Sequence, residues 1–337
     1  MQDPDKPEFS YTNGLQLTIQ RHDPPPPFGG PFDDPQAPFG SGYPKPKVRN
    51  ERSHTQFCLD NLPLETQAHP SPEEDYLTIV EQVAAEDGRG AQVVLCYSHQ
   101  SDQHLVAKIF DPLYYVFEFN PVKQADMHYS REAGAYQQLL EMGEDGKNTP
   151  RYYGSWTFNM PLVTTSGETV YRPVRMVLIE CIDGSSMKDL IDNGQHEHLA
   201  SETRLDILGR ALEIDMWLRF RGIKHNDFAP RNILLSSADL ATIFVIDFNQ
   251  ATVRKPGSKC WQFTAVSNPR PANPLNIVWV SGCPVPFAHW IPQAYNRSVP
   301  GGDDLFREWA KARWYYSDEF MPLDVRRPRG VVRRLNA

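Results

Sequence analysis

The stretch from Gly222 to Ala251, GIKHNDFAPRNILLSSADLATIFVIDFNQA, decides how the rest of the chain is read. His225-Asn226-Asp227 opens the chemistry, Asn232 stands five residues past the aspartate, and Asp247-Phe248 closes an apolar run. An aspartate and an asparagine on one tight loop can hold a hydroxyl nucleophile beside a divalent metal. A second aspartate, delivered by a strand over Thr242–Ile246, can close that metal site from the opposite side. Phosphoryl transfer asks for this set, because the protein must steer an acceptor proton and neutralise phosphate charge but does no covalent chemistry itself.

Upstream, Thr203–Arg221 places Leu205, Leu208, Leu212, Met216 and Phe220 along one stripe. That spacing predicts an amphipathic helix ending at Gly222 as its C′ glycine. Farther back, Leu77–Ala84, Gln92–Ser98 and His104–Phe110 are apolar, β-branched runs broken by Glu86–Gly90 and by Ser101-Asp102. They predict three antiparallel strands joined by two hairpins. Arg151–Thr157 and Arg175–Glu180 predict two more, with a polar hairpin over Thr164–Glu168 between them. Tyr129–Met142 repeats Glu132, Tyr136, Leu139 and Leu140 at helical spacing. In Val106-Ala107-Lys108 a lysine sits among apolar residues of a central strand, a costly placement without a carboxylate or phosphate to pair with.

The 337 residues allow one large two-part domain with a tail, or two ordinary domains. A net charge of −8 argues against a general nucleic-acid binder. The N-terminus lacks a basic region followed by an apolar one, and no apolar run approaches the ~20 residues of a membrane helix. No secretory signal and no membrane contact are therefore expected. Cys58, Cys96, Cys181, Cys260 and Cys283 are odd in number with no C-x-x-C pair, which reads as reduced thiols in a cytoplasmic or nuclear protein.

Residues 1–72 are rich in Pro, Gly and Asp and read as a disordered or extended arm. Within it, Pro24–Pro27 could be a polyproline II stretch for a proline-recognition partner of SH3 or WW type, or a plain linker. Phe28, Phe32 and Phe39 keep open a packing of the arm on the domain, and Gln56–Leu64 could be a short element doing so. Beyond Val253 regular patterning fades, apart from a helix over Asp304–Ala312. Trp279, Trp290, Trp309 and Trp314 read as a compact irregular core, and Arg326–Arg334 as an exposed basic tail.

HNDFAPRN resembles the protein-kinase catalytic loop H-R-D-L-x-x-x-N, and Asp247-Phe248-Asn249 resembles D-F-G. On these residues the chain resembles the eukaryotic protein-kinase-like superfamily, and within it fungal kinase-like domain proteins. The resemblance spans about residues 76–252. It implies an α+β, bilobal fold: a five-stranded antiparallel N-lobe with one long helix over 73–182, and a mainly helical, partly irregular C-lobe over 183–337.

It also implies an ATP- and Mg²⁺-dependent phosphotransferase acting on a protein Ser/Thr hydroxyl. A small-molecule acceptor, as in aminoglycoside and choline kinases, and a kinase-shaped scaffold without turnover are the alternatives. Asp227 would orient the acceptor proton, and Asn232 and Asp247 would bind Mg²⁺. Lys108, held by Glu132, would position the phosphates of ATP. Gly88 and Gly90 would cover them, backbone groups of Glu180 and Ile182 would meet adenine, and Val93, Ala107 and Leu234 would sandwich it. His225 would pack with Phe248 and Tyr136 as a stacked spine.

The sequence also departs from that family. Asn226 replaces the arginine of H-R-D, which puts regulation through a phosphorylated loop in doubt. Ala229 stands where Ser/Thr kinases place a lysine, and Arg231 could supply the charge instead. Asn249 replaces the glycine of D-F-G and is expected to keep the turn by adopting left-handed angles. No A-P-E follows, so a peptide platform is not recognisable.

Overall fold

The segment LQLTIQ, inside the proline-rich N-terminal region, alternates apolar and polar residues, the period of a half-buried strand. In the computed structural model it forms β1 (Gln16–Arg21), with Leu17 and Ile19 buried and Gln16, Thr18 and Gln20 exposed. The structure describes residues 3–29, 53–66, 73–117, 120–254, 269–282 and 284–323. Phe32, Phe39, Cys260, Cys283 and the basic tail lie outside them.

Strand β1 pairs antiparallel with β2 (Glu74–Ala84), from Gln16 opposite Thr78 to Gln20 opposite Glu74. The order continues through β3 (Gln92–Ser98), β4 (Gln103–Phe110), β6 (Thr169–Glu180) and β5 (Tyr152–Val163). β5 returns to β1 through Gln20–Thr157 and Arg21–Trp156, closing a six-stranded antiparallel barrel. This corrects the expected fold class. A five-stranded sheet in a bilobal kinase-like arrangement does not form, because β1 covers both open edges, and closure removes the unpaired N–H and C=O groups such edges expose.

The closure is made at a glycine. Arg21 donates from Nη1 to Tyr153 O at 2.8 Å and lies 4.4 Å from the Trp156 ring centroid. A Cβ on Gly154, whose φ is +107°, would fall 1.2 Å from Arg21 Nη1, so only glycine admits this crossing. Alternate residues fill the interior: Leu17, Ile19, Leu77, Ile79, Val94, Cys96, Leu105, Ala107, Ile109, Phe158 and Met176 share one core. Helix α1 (His54–Asp60) adds Phe57 and Cys58 to the same core.

Helix α2 (Pro121–Glu141) packs outside the barrel through Tyr129, Ala133 and Tyr136, in a core that also takes Phe110, Val177 and Phe248. It begins eight residues before the predicted start, 129 against 121. Asn120 caps it by accepting from Lys123 N–H, and Pro121 occupies the first turn, where its missing N–H costs nothing. The proline run packs on this helix. Pro25 and Phe28 are buried, Phe28 O accepts from Arg131 Nε at 2.9 Å, and Pro27 abuts Gly134. Residues 3–29 and 53–66 of the expected arm thus pack on the fold, and the remainder of 1–72 lies outside the described residues.

The rest of the described chain has two small sheets and four helices. β7 (Gly184–Ser186), β9 (Ile233–Ser236) and β10 (Ile243–Val245) form one sheet, and β8 (Ile223–Lys224) pairs with β11 (Thr252–Val253). α3 (Met187–Asp192), α4 (Ser201–Phe220), α5 (Leu275–Ser281) and α6 (Gly302–Trp314) surround a core holding Leu208, Leu212, Trp290 and Trp314. α4 ends as expected at Gly222, which has φ +83°. With a closed six-stranded barrel and six α-helices among the described residues, the structure is more like a barrel fold than a bilobal one with a helical C-lobe. No described helix is long and apolar enough to cross a membrane.

Candidate functional site

On β4, residues two apart share a face. Leu105, Ala107 and Ile109 point into the barrel, and Lys108 and Phe110 point outward to α2. Lys108 Nζ donates to Glu132 Oε2 at 2.9 Å and to Asp247 Oδ1 at 2.5 Å. Lys108 and Glu132 are almost completely buried, whereas the Asp247 side chain is 32% exposed.

One ammonium therefore serves two carboxylates. Burial alone would lower the pKa of Lys108, but Asp247 and Glu132 more than offset that and raise it. Burial pushes Glu132 up, Lys108 only partly opposes it and Asp247 adds to it, leaving it at about 7. Asp247 is also raised by burial, yet the adjoining ammonium brings its carboxyl below the usual value. The less buried acid holds the proton less tightly. Glu132 Oε1 is buried with no partner.

The loop bearing Asp227 is tied to Asp247 through backbone. Asp227 N–H donates to His225 Nδ1 at 3.3 Å, so that nitrogen is unprotonated and Nε2–H donates to Ile246 O at 2.9 Å. Burial holds the imidazole below its ordinary pKa, in keeping with this neutral tautomer. Ile246 N–H in turn donates to Asn232 O at 3.0 Å. His225 lies 5.2 Å from Phe248, and Phe248 meets Tyr136 edge-on at 5.2 Å. These three rings make the expected stack.

Asn232 spends its amide nitrogen on Asp227, at 2.8 Å to the backbone oxygen and 3.0 Å to Oδ2. Its amide oxygen is then the atom for a cation. Arg231 forms an ion pair with Asp227 from the exposed side of the loop. Asn226 has φ +62° and donates to Gln250 O and to Thr252 Oγ1, both at 2.9 Å. In the D-F-N segment the left-handed residue is Asp247 (φ +67°), not Asn249 as expected from the sequence.

Other expected contacts fall elsewhere. Ala107 belongs to the barrel interior, and Val106 shares the face of Lys108. Val93 is half-buried opposite Lys108 in the β3–β4 pairing, and Leu234 is half-buried on β9. Gly90 N–H already donates to Tyr114 O at 3.1 Å, and its α-carbon faces the Tyr115 ring. Gly88 is exposed with open space around it. Glu180 N–H donates to Arg151 O at 2.9 Å and its carboxylate accepts from Arg151 N–H at 3.0 Å, whereas Ile182 is half-buried in the turn before β7.

Tyr115 and His128 are residues the sequence reading passed over. Their rings lie 5.5 Å apart beside the Lys108 cluster, and both Tyr115 OH and His128 Nδ1 are buried without a partner. No local sequence signal marks them, because they come from a turn and a helix outside any motif.

Comparison with protein-family models finds no match to the chain, and comparison with curated proteins finds none either. The chemistry of the site therefore rests on its own residues. Asp247 and Asn232 offer hard oxygen donors that suit Mg²⁺. No group of three or more His, Cys, Asp or Glu is arranged for a metal among the described residues. A Mg²⁺ held here would complete its shell from phosphate oxygens and water.

Proposed function

We propose that the chain is an ATP- and Mg²⁺-dependent phosphotransferase that moves a γ-phosphoryl group to a hydroxyl, with a protein Ser/Thr side chain as acceptor. The observation that carries this is the convergence of Lys108, Glu132 and Asp247, joined through Ile246 and His225 to the loop of Asp227 and Asn232. Asp227 orients the acceptor hydroxyl, and Arg231 fixes that carboxylate. Lys108, protonated and held by Glu132, meets phosphate oxygens. Asn232 and Asp247 are the residues that would hold Mg²⁺, which when bound supplies positive charge against the transferring group. The motif resemblance to protein kinases supports this chemistry. The barrel is a different scaffold for it.

A second reading is favoured by a specific observation. The Gly90 and Glu180 amides that a nucleotide would use are bonded within the chain, to Tyr114 and Arg151. That favours a binding or scaffold protein without turnover. A small-molecule acceptor is the third reading, favoured by the missing A-P-E. Turnover of γ-labelled ATP with Mg²⁺ by wild type and Asp227→Ala, with a peptide library and with aminoglycoside and choline acceptors, separates them. Label transfer to peptide by wild type alone supports the proposal, and transfer to a small acceptor alone supports the third reading. Equal rates in both proteins, or no turnover together with no thermal stabilisation by Mg²⁺-ATP, defeats enzymatic function here.

A further inference from the structure

We infer that His128 is a positioning residue, which holds the turn after Asp247 against α2 through the side chain of Gln250. The inference rests on the phosphotransferase reading, because that reaction needs Asp247 kept in one place.

Two contacts tie α2 to this turn. His128 and Glu132 stand four residues apart on the helix and so share a face. Glu132 reaches Asp247 through the Lys108 ammonium, and His128 Nε2 meets Gln250 Nε2 at 3.0 Å. The first contact is made of charges and fixes a carboxylate oxygen. The second is neutral and holds the chain three residues farther on. Gln250 O also accepts from Asn226 Nδ2 at 2.9 Å, and Asn226 directly precedes Asp227. His128, Gln250 and Asn226 therefore make one path from α2 to the 225–232 loop.

The protonation of the ring follows from that contact. An amide nitrogen can only donate, so Gln250 donates to an unprotonated His128 Nε2 and the ring proton sits on Nδ1. Nδ1 is buried without a partner. Burial, with the Lys108 and Arg131 cations nearby, holds the imidazole down to about 4, so the ring stays neutral and able to accept. A buried N–H left unmet is costly, and an apolar side chain would avoid that cost. Stability alone therefore does not select histidine at this position; the bond to Gln250 does.

The conformation being held is an unfavourable one. Asp247 stands at φ +67°, and the turn behind it closes where Ala251 N–H donates to Phe248 O at 2.8 Å. A left-handed residue other than glycine persists where its surroundings over-determine it. Asp247 is one of the two residues that would hold Mg²⁺, so a loosened turn should weaken that hold before it disturbs Asp227.

Hydrogen exchange at the Ala251 amide, without nucleotide, tests the path by itself in wild type, His128→Leu, Gln250→Leu and the double variant. Exchange about tenfold faster is expected in either single variant, the worth of one hydrogen bond, with no further gain in the double. Turnover of γ-labelled ATP against Mg²⁺ concentration then tests what the path does. The KM for Mg²⁺ should rise about fivefold in both single variants, with kcat lowered less. His128→Gln, whose amide oxygen can accept from Gln250, should restore both readouts, which a merely space-filling side chain would not need. Unchanged exchange, or strictly additive effects of the two substitutions, overturns the path. Faster exchange with an unchanged KM for Mg²⁺ overturns the positioning role and leaves the phosphotransferase reading standing. Faster exchange with no turnover in wild type defeats that reading, and the positioning role with it. Should His128→Leu fail to fold, Gln250→Leu and His128→Gln decide alone.

Discussion

Lys108 Nζ lies 2.5 Å from Asp247 Oδ1 while also bonded to Glu132, so a strand lysine spans from helix α2 to the turn after β10. Removing that ammonium strands two carboxylates, one of them buried. Lys108→Met is expected to destabilise by about 3–5 kcal/mol, the range for breaking one side of a buried pair. Adding Glu132→Gln should recover part of the loss, because the buried charge goes with it. Urea unfolding of the single and double variants measures both, and a double variant no better than the single would refute the shared-cation account.

The same cluster fixes a pH dependence. Glu132 has a folded-state pKa of about 7 against an ordinary 4.5, so between those values the folded chain holds more protons than the unfolded one. Its contribution to stability is complete below about pH 4.5 and is lost as pH rises through about 7. Asp247 works the other way: its lowered carboxyl contributes above 3.8 and loses that contribution as pH falls below it. Unfolding free energies at pH 5 and pH 8 should differ more in wild type than in Glu132→Gln, by on the order of 1–3 kcal/mol. The same slope in both proteins would mean that Glu132 does not carry it.

The sequence displayed the cluster around the 225–232 loop because most of its groups lie close along the chain and their spacing is fixed by one turn. His225, Asp227, Asn232 and Asp247 are joined by local backbone bonds, which a sequence pattern can encode. Barrel closure was hidden for the opposite reason. Strand β1 meets β5 across more than a hundred positions, and the prolines around LQLTIQ obscured an alternation that was present. Ala107 was misread through adjacency: it neighbours Lys108 in sequence, but strand geometry turns neighbours to opposite faces. The start of α2 was legible in Asn120-Pro121, a cap followed by a first-turn proline. Tyr115 packing on Gly90 was not, since nothing local records which ring a glycine will meet.

Closure of the barrel is expected to depend on Gly154 and Arg21 together. Gly154→Ala must move the guanidinium and also place a side chain at φ +107°, so a loss of several degrees in Tm is expected. In an Arg21→Ala background the steric part disappears and only the backbone strain remains. Thermal unfolding of the four proteins should show the second substitution costing less in the presence of the first. Strict additivity would count against direct contact.

The N-terminal segment should behave as structure. Phe28 is 4% exposed and Pro26 is exposed, although they are two residues apart. Phe28→Ala should cost about 3–5 kcal/mol, as for other buried aromatics, and Pro26→Ala almost nothing. Chemical denaturation measures both. A neutral Phe28→Ala would show that the segment does not hold α2.

The last prediction concerns the residue that departs most from the kinase motif. Asn226 stands at φ +62°, a conformation asparagine tolerates better than arginine, and its amide joins the 225–232 loop to Gln250 and Thr252. Asn226→Arg, which places the arginine of the H-R-D motif here, should therefore harm this protein. It loses two hydrogen bonds and adds backbone strain, for a cost of about 2–4 kcal/mol. Asn226→Gly keeps the backbone angle and loses only the bonds, so it should cost about half as much. Unfolding free energies of the two variants rank the contributions. An Asn226→Arg protein as stable as wild type would mean that the loop is held by His225 and Asn232 alone.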